Sequence, residues 1–344
     1  MKTNLIIFSL LIYLFALTDC INGKDATLIP AQIDNKWGYI DKNGVWAINP
    51  QFEDARAYKG DLAVVCFNGK YGYIDKTGHW FINPQFDYAD DFTDDELAVV
   101  NIKGLGGGYI DKKGLFVINP KFYRSSNFVN GLAAVRVEYE DDEGYIDKTG
   151  GFVIEPQFVG GHDFEENGLA PVLTHDGYGY VFIDHNGKIV FNSQVEHFAN
   201  FDGRKFYFGL AAGVKIGSSW GYIDEQGEWV IDSQYDNAKN FTKIGFAAVK
   251  MNGKWGYIDK KGKFLINPQF DDVENFADNG FAAVKINTKW GFINETGRLI
   301  INPQFEKAKI IDNILFVKWE NKWGIIDNQG NWIVNPQFDD IWSE

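Results

Sequence analysis

Cysteine is almost absent from this chain of 344 residues: only Cys20 and Cys66 occur, too few for a disulfide framework. Positive charge is in deficit as well. The 33 Lys and Arg residues stand against 47 Asp and Glu, leaving a net charge of −14. Such a field opposes phosphate backbones and anionic headgroups, so nucleic acid is excluded as the expected partner. Long apolar runs are missing too. The longest, Leu5 to Leu17, is too short for a membrane span. Cys66 lies in the strand-like Val64-Val65-Cys66-Phe67 rather than beside a base in a distinctive turn, so the sequence does not present it as an activated nucleophile. No pair stands out among the acidic residues as a glycosidase pair, and no catalytic residue is assigned.

That short apolar run has a role of its own. Lys2 supplies a positive start, and small or polar residues follow the run, so residues 1–23 read as a secretory signal and 24–344 as the mature chain. Leu17-Thr18-Asp19-Cys20 places a cysteine where bacterial lipoproteins carry their lipid anchor, although Asp19 stands where a small residue is needed. Secretion to an extracytoplasmic location is the expectation, with a lipid anchor at Cys20 as the lesser alternative.

What the chain has in abundance is aromatic residues and glycine: 29 Phe, 16 Tyr, 11 Trp and 37 Gly. They recur in order. Trp-Gly-Tyr-Ile-Asp and its variants repeat along the chain, with a marker glycine at Gly38, Gly72, Gly108, Gly144, Gly179, Gly221, Gly256, Gly291 and Gly324. Successive markers are 34, 36, 36, 35, 42, 35, 35 and 33 residues apart, the period of a solenoid or propeller rather than of one mixed core. Nine units therefore form one array, in which each packs mainly on its neighbours.

The copy from Trp255 to Gly280 shows how one unit folds. Asp259 and Gly262 suit the first and fourth positions of a hairpin turn, the Asp accepting backbone N–H groups and the Gly taking a left-handed conformation. Pro268 cannot donate to a ladder, so Asn267-Pro268 is expected to end the second strand. Phe270, Val273 and Phe276 stand three apart, which predicts one or two helical turns. Phe281 to Ile286 then reads as a third strand. In a strand Gly256 faces away from Trp255 and Tyr257, leaving space for a side chain or backbone of the adjacent copy.

At the array's ends, Leu28 to Ile33 resembles a lone third strand, and the C-terminus stops after Phe338-Asp339-Asp340-Ile341-Trp342 without one. The fragments sum to one unit. The expected fold is all-β, with nine tandem three-stranded repeats of about 35 residues in an open or superhelical β-solenoid. The alternative is a closed, propeller-like ring. For an open array, losing a terminal repeat should cost little.

With Lys254-Trp255-Gly256-Tyr257-Ile258-Asp259-Lys260-x-Gly262 and Ile266-Asn267-Pro268-Gln269-Phe270 in view, the chain resembles the WG-repeat, or KWG-repeat, family from Lys36 to Phe338. The resemblance implies a bacterial β-rich array with a binding or scaffold role, and it supplies no catalytic residues. The motif positions Trp37, Trp220, Trp255, Trp290 and Trp323, with the nine marker glycines, are expected to be structural. Copies three to five depart from the pattern, with Gly107, Glu143 and Tyr178 in place of the Trp.

Other constellations weigh less. The Asp ladder at eight of the nine turns could form a Ca²⁺ column, but the remaining turn has Asn294, which keeps the turn bond and loses the charge. No metal and no cofactor is expected. His162, His175, His185 and His197 cluster in the irregular fourth and fifth copies and form the candidate binding patch, without any recognised ligand spacing. Gly104-Leu105-Gly106-Gly107-Gly108 precedes a strand and is a hairpin connection rather than a phosphate loop. The function expected is a non-enzymatic module that binds or scaffolds a protein partner. A cell-wall or other glycan binder using exposed Trp and Tyr is the alternative, and a hydrolase is the background case. The motif Trp residues discriminate, because their burial removes the main support for the glycan reading.

Overall fold

The computed structural model describes residues 27–165, 167–175, 180–195, 197–198, 214–217 and 219–341. The proposed signal and Cys20 lie outside them. Every regular element among the described residues is a β-strand. The strands form nine separate four-stranded antiparallel sheets, here called blades. The second blade illustrates the rest: β4 (Asp54–Ala55), β5 (Leu62–Phe67), β6 (Lys70–Asp75) and β7 (Trp80–Phe86) pair in chain order. Each repeat thus has a fourth strand beyond the three expected, two residues long in most blades and five in the seventh and ninth.

This short strand replaces the expected helical turns. Phe270 ends one strand, Val273 lies in the next, and Phe276 follows it in a loop. All three are buried in one cluster with Tyr257, Ala282 and Val284. A bent chain that dips repeatedly into the core reproduces a spacing of three without helical hydrogen bonds.

The ends of the array meet. β1 (Ile29–Ile33), β2 (Lys36–Ile40) and β3 (Trp46–Phe52) make three strands of the first blade. The fourth is Asp340–Ile341, paired as Ala31↔Ile341 and Gln32↔Asp340. The Asp339 N–H also donates to the Gln32 carbonyl (2.8 Å), and the Asp34 N–H to the Asp339 carboxylate (2.8 Å). Side chains repeat the closure. The turn glycine of each blade rests against an aliphatic or aromatic residue of the preceding one: Gly78 on Ile48, Gly114 on Ile82, Gly297 on Ile266, and Gly44 on Val334 of the last blade. Trp46 packs edge-on against Phe338, centroids 5.6 Å apart. Of the two arrangements left open by the sequence, the terminal pairing realises the closed one, a propeller-like ring of nine blades.

The expected turn chemistry is present. The Asp259 carboxylate accepts the N–H groups of Lys261 (2.9 Å) and Lys263 (3.0 Å), and Gly262 has φ +78°. Asn294 does the same for Thr296 (3.2 Å) and Arg298 (3.0 Å). In six blades a motif tyrosine ties the blade to its following segment. Tyr39, Tyr73, Tyr109, Tyr145, Tyr222 and Tyr257 each donate to the carbonyl 17 residues on, at 2.6–2.8 Å. Burial pushes these phenols up for Tyr39, Tyr222 and Tyr257, which keeps the donor proton in place.

Candidate interaction surfaces

The described motif residues pack within the blades. Trp37, Trp255, Trp290 and Trp323 are buried, and Trp220 is half-buried. Lys239 and Lys250 lie over the Trp255 indole at 5.8 and 6.0 Å, and Lys309 over Trp323 at 5.7 Å. The marker glycines do accommodate backbone, but from the next strand of their own blade rather than from the adjacent copy. A Cβ on Gly256 would meet the Ile266 oxygen at 2.5 Å and the Pro268 nitrogen at 2.7 Å. Gly38, Gly72, Gly108, Gly144, Gly221, Gly291 and Gly324 are hemmed in the same way. Gly179 lies outside the described residues. The fifth copy's equivalent is Val181, since Tyr180 pairs with Val195 and Phe182 with Phe191 as Trp37 pairs with Phe52 and Tyr39 with Ile48. Tyr180, not Tyr178, therefore takes the tryptophan position there.

In the fourth blade Glu143 occupies that place. Its buried carboxylate accepts from Arg124 (2.8 Å) and from the Gly161 N–H (2.6 Å), and it is ion-paired with Arg136 at 3.2 Å. Arg136 follows Ala-Ala-Val just as Lys250 does, so a cation beside an indole becomes a cation beside a carboxylate. The exchange keeps the cross-strand partnership and changes its chemistry.

The described histidines of the candidate patch have separate partners. His162 is buried, with its Nε2 3.3 Å from the Tyr180 hydroxyl. His175 is exposed and pairs with Asp142 at 2.9 Å. His185 stacks on Phe164, centroids 4.4 Å apart. The His197 side chain is outside the described residues. Each described histidine has a different partner, and no group of three potential metal ligands occurs among the described residues.

A surface the sequence reading missed runs along the last strand of every blade. This strand is the free edge of its sheet, and Pro50, Pro84, Pro120, Pro156, Pro268, Pro303 and Pro336 lie within it rather than at its end. Proline on an open edge removes a donor and blocks strand addition. Before the proline the register slips: Tyr73 pairs with Ile82 and Ile74 with Trp80, leaving Phe81 as an extra, bulged residue. Phe81 is half exposed, and its equivalents Val117, Val153, Val230, Leu265 and Ile333 are also turned to solvent. The signal was three apolar residues in succession, as in Phe264-Leu265-Ile266, where strict alternation would place a polar one.

A second exposed feature lies in the ninth blade. A pocket of about 250 Å³ is lined by Trp319, Glu320, Lys322, Trp332 and Pro336. Cys66, by contrast, is buried beside Glu53, and burial pushes its thiol up to about 11, so it stays protonated at neutral pH.

The chain belongs to the family described as WG containing repeat, whose model matches residues 37–71, 71–105, 108–139, 144–178, 220–255, 255–290, 290–323 and 323–343. These eight matches leave out the stretch that contains Val181, the copy without the marker glycine. The comparison with curated proteins gives no match. Among solved structures the chain is similar to a eukaryotic initiation factor, at 10% identity and TM-score 0.59, covering 93% of this chain and 98% of that one. It also matches the computationally designed Ika8 protein at 10% identity and TM-score 0.46, covering 85% and 96% of the two chains. BamB from Moraxella catarrhalis matches at 12% identity and TM-score 0.39, covering 85% and 88%. At such identity the initiation factor shares the fold alone.

Proposed function

We propose that the protein is a non-enzymatic, extracytoplasmic module that binds or scaffolds a protein partner through the apolar bulges on its blade edges. The observation that carries this reading is the recurrence of one exposed apolar residue at the same bulge, from Phe81 to Ile333. Repeated apolar projections flanked by donor-free prolines suit side-chain docking and discourage strand addition. A net charge of −14 favours a partner with a basic face. The buried, protonated Cys66 thiol is consistent with the non-enzymatic reading, and the sequence of residues 1–23 with export. Burial of the motif Trp residues leaves the glycan alternative only the exposed aromatics.

Photo-crosslinking amino acids placed at Phe81, Val117 and Leu265 test this in cells of the source organism. One discrete protein adduct is expected from several blades, weakened when neighbouring bulges carry Asp. Adducts that are absent at all three sites, or unchanged by the Asp substitutions, overturn the reading.

A further inference from the structure

We propose that the pocket of the ninth blade is a carbohydrate subsite that takes one neutral hexopyranose ring between Trp319 and Trp332, with Glu320 and Lys322 addressing its hydroxyls. This site is distinct from the bulged edges, and the proposal does not depend on the protein-binding reading.

Both tryptophans are 39% exposed, whereas Trp37, Trp255, Trp290 and Trp323 of the repeat motif are buried to 9% exposure or less. Each is held edge-on to the same buried Phe305, with centroids 6.2 Å away for Trp319 and 6.1 Å for Trp332. Their positions are therefore fixed by the core before any ligand arrives, which lowers the ordering cost of binding. Flat apolar faces match the C–H face of a pyranose, and the polar groups stand beside them.

Glu320 is displayed by the backbone. It sits at φ 50° in a tight hairpin turn, where its N–H and that of Asn321 are held by the Glu306 carboxylate at 3.0 and 3.1 Å. Its own carboxylate makes no hydrogen bond among the described residues, leaving its oxygens available to accept sugar hydroxyls. Lys322 pairs with Asp339, which offsets its charge while leaving further ammonium protons to donate. A volume of about 250 Å³ is below the ~300 Å³ at which pockets for drug-sized ligands begin and suits a single ring.

The second blade supplies an internal control. There Trp80 and Phe67 flank Phe52 in the same arrangement, at 5.9 Å for Phe52–Trp80 and 6.0 Å for Phe67–Trp80. Phe67 and Asn68 occupy the places of Trp319 and Glu320. The aromatic triad is thus a product of the repeat, and the second indole with the displayed carboxylate is peculiar to the ninth blade.

Isothermal titration of the intact mature chain with glucose, galactose, mannose, N-acetylglucosamine and the β1,4-linked trimers of glucose and N-acetylglucosamine tests the proposal. At least one sugar is expected to bind with a dissociation constant of about 1 mM or tighter. Trp319→Ala and Trp332→Ala should weaken it at least tenfold, Trp80→Ala should leave it unchanged, and all three should melt as cooperatively as the parent. Glu320→Gln, which removes a surface charge without touching the triad, should weaken binding several-fold and serves where a tryptophan variant fails to fold. No binding of any of these sugars at 10-fold that concentration overturns the subsite. Equal losses in Trp80→Ala, or unchanged affinity in Glu320→Gln and the folded tryptophan variants, overturn it too. The crosslinking result at Phe81 is unaffected by either outcome.

Discussion

Gly256 shows what the repeat demands of a single residue. It has no Cβ because the Asn267-Pro268 backbone fills that space, and the approach recurs around the array. Gly256→Val should cost about 3 kcal/mol or more, since the obstructing atoms are backbone and cannot rotate away. Urea unfolding gives the measurement, and an unchanged midpoint would show the strand edge to be more pliable than its geometry implies. The fifth blade indicates how a valine can be accepted. There Val181 pairs directly with Asn192, a pairing that the marker glycines of the other described copies do not make. The tight approach was given up together with the glycine, so a lone substitution at Gly256 lacks the compensation. Glu143 makes a similar point, because it enters the tryptophan place only with Arg124 and Arg136 around it.

At the scale of the element, the hairpin turn is held by a carboxylate, and this makes it sensitive to acid. Asp147 and Asp327 are held below the usual carboxylate range, chiefly by the Thr149 hydroxyl and the Asn331 amide and then by backbone N–H groups. Lys322 and Lys254 do the same for Asp339 and Asp271. A carboxyl whose folded pKa is depressed contributes stability that is present above its unfolded value, about 3.9, and lost as pH falls through the folded value. Stability should therefore be level with respect to these groups from pH 7 to about 5 and decline below about pH 4. Asp327→Asn, for which Asn294 is the natural precedent in the neighbouring copy, should keep the turn and flatten that decline. Thermal melts of both proteins across the acid range check it, and an equally steep decline in the variant would remove the Asp327 carboxylate as a contributor. The turns were legible in the sequence because their chemistry is local: one Asp, one Gly, three residues apart. The short strand at Val273 was not, since two residues carry no period and burial of Phe270, Val273 and Phe276 mimics a helical spacing. The bulged edge left its trace in Phe264-Leu265-Ile266, yet its meaning depends on register, which is a property of two strands. The partners of the histidines were equally out of reach of the sequence: the Tyr180 hydroxyl for His162, Asp142 for His175 and the Phe164 ring for His185 come together only through the fold.

For the whole molecule, closure changes what the termini are worth. In an open array the last repeat has one neighbour, and its loss leaves the remainder nearly intact. Here the first blade borrows Asp340–Ile341, and the core that surrounds the joint mixes Ile29, Ala31 and Ile40 with Phe316, Trp323, Phe338 and Ile341. The seam is thus packed like any internal blade boundary, with Trp46 on Phe338 in the role that Trp80 plays on Phe52. Deleting residues 339–344 removes the pairing with β1, the bond to the Gln32 carbonyl and the partner of the Asp34 N–H, while leaving eight blades with their own four strands. The expected result is a lowered melting temperature and rapid hydrogen exchange at Ala31 and Gln32, spreading to the Phe316–Trp323 side of the seam rather than staying in the first blade. Trp46→Ala keeps every backbone bond and should give a smaller shift in the same direction, about 3 kcal/mol as an upper figure for truncating a large, half-buried aromatic. Calorimetry separates the two architectures: a ring loses cooperativity when cut at its seam, whereas an open array would unfold after the deletion much as before. An unchanged transition in the truncated chain, with protection retained at Ala31, would mean that the ends do not hold each other in solution.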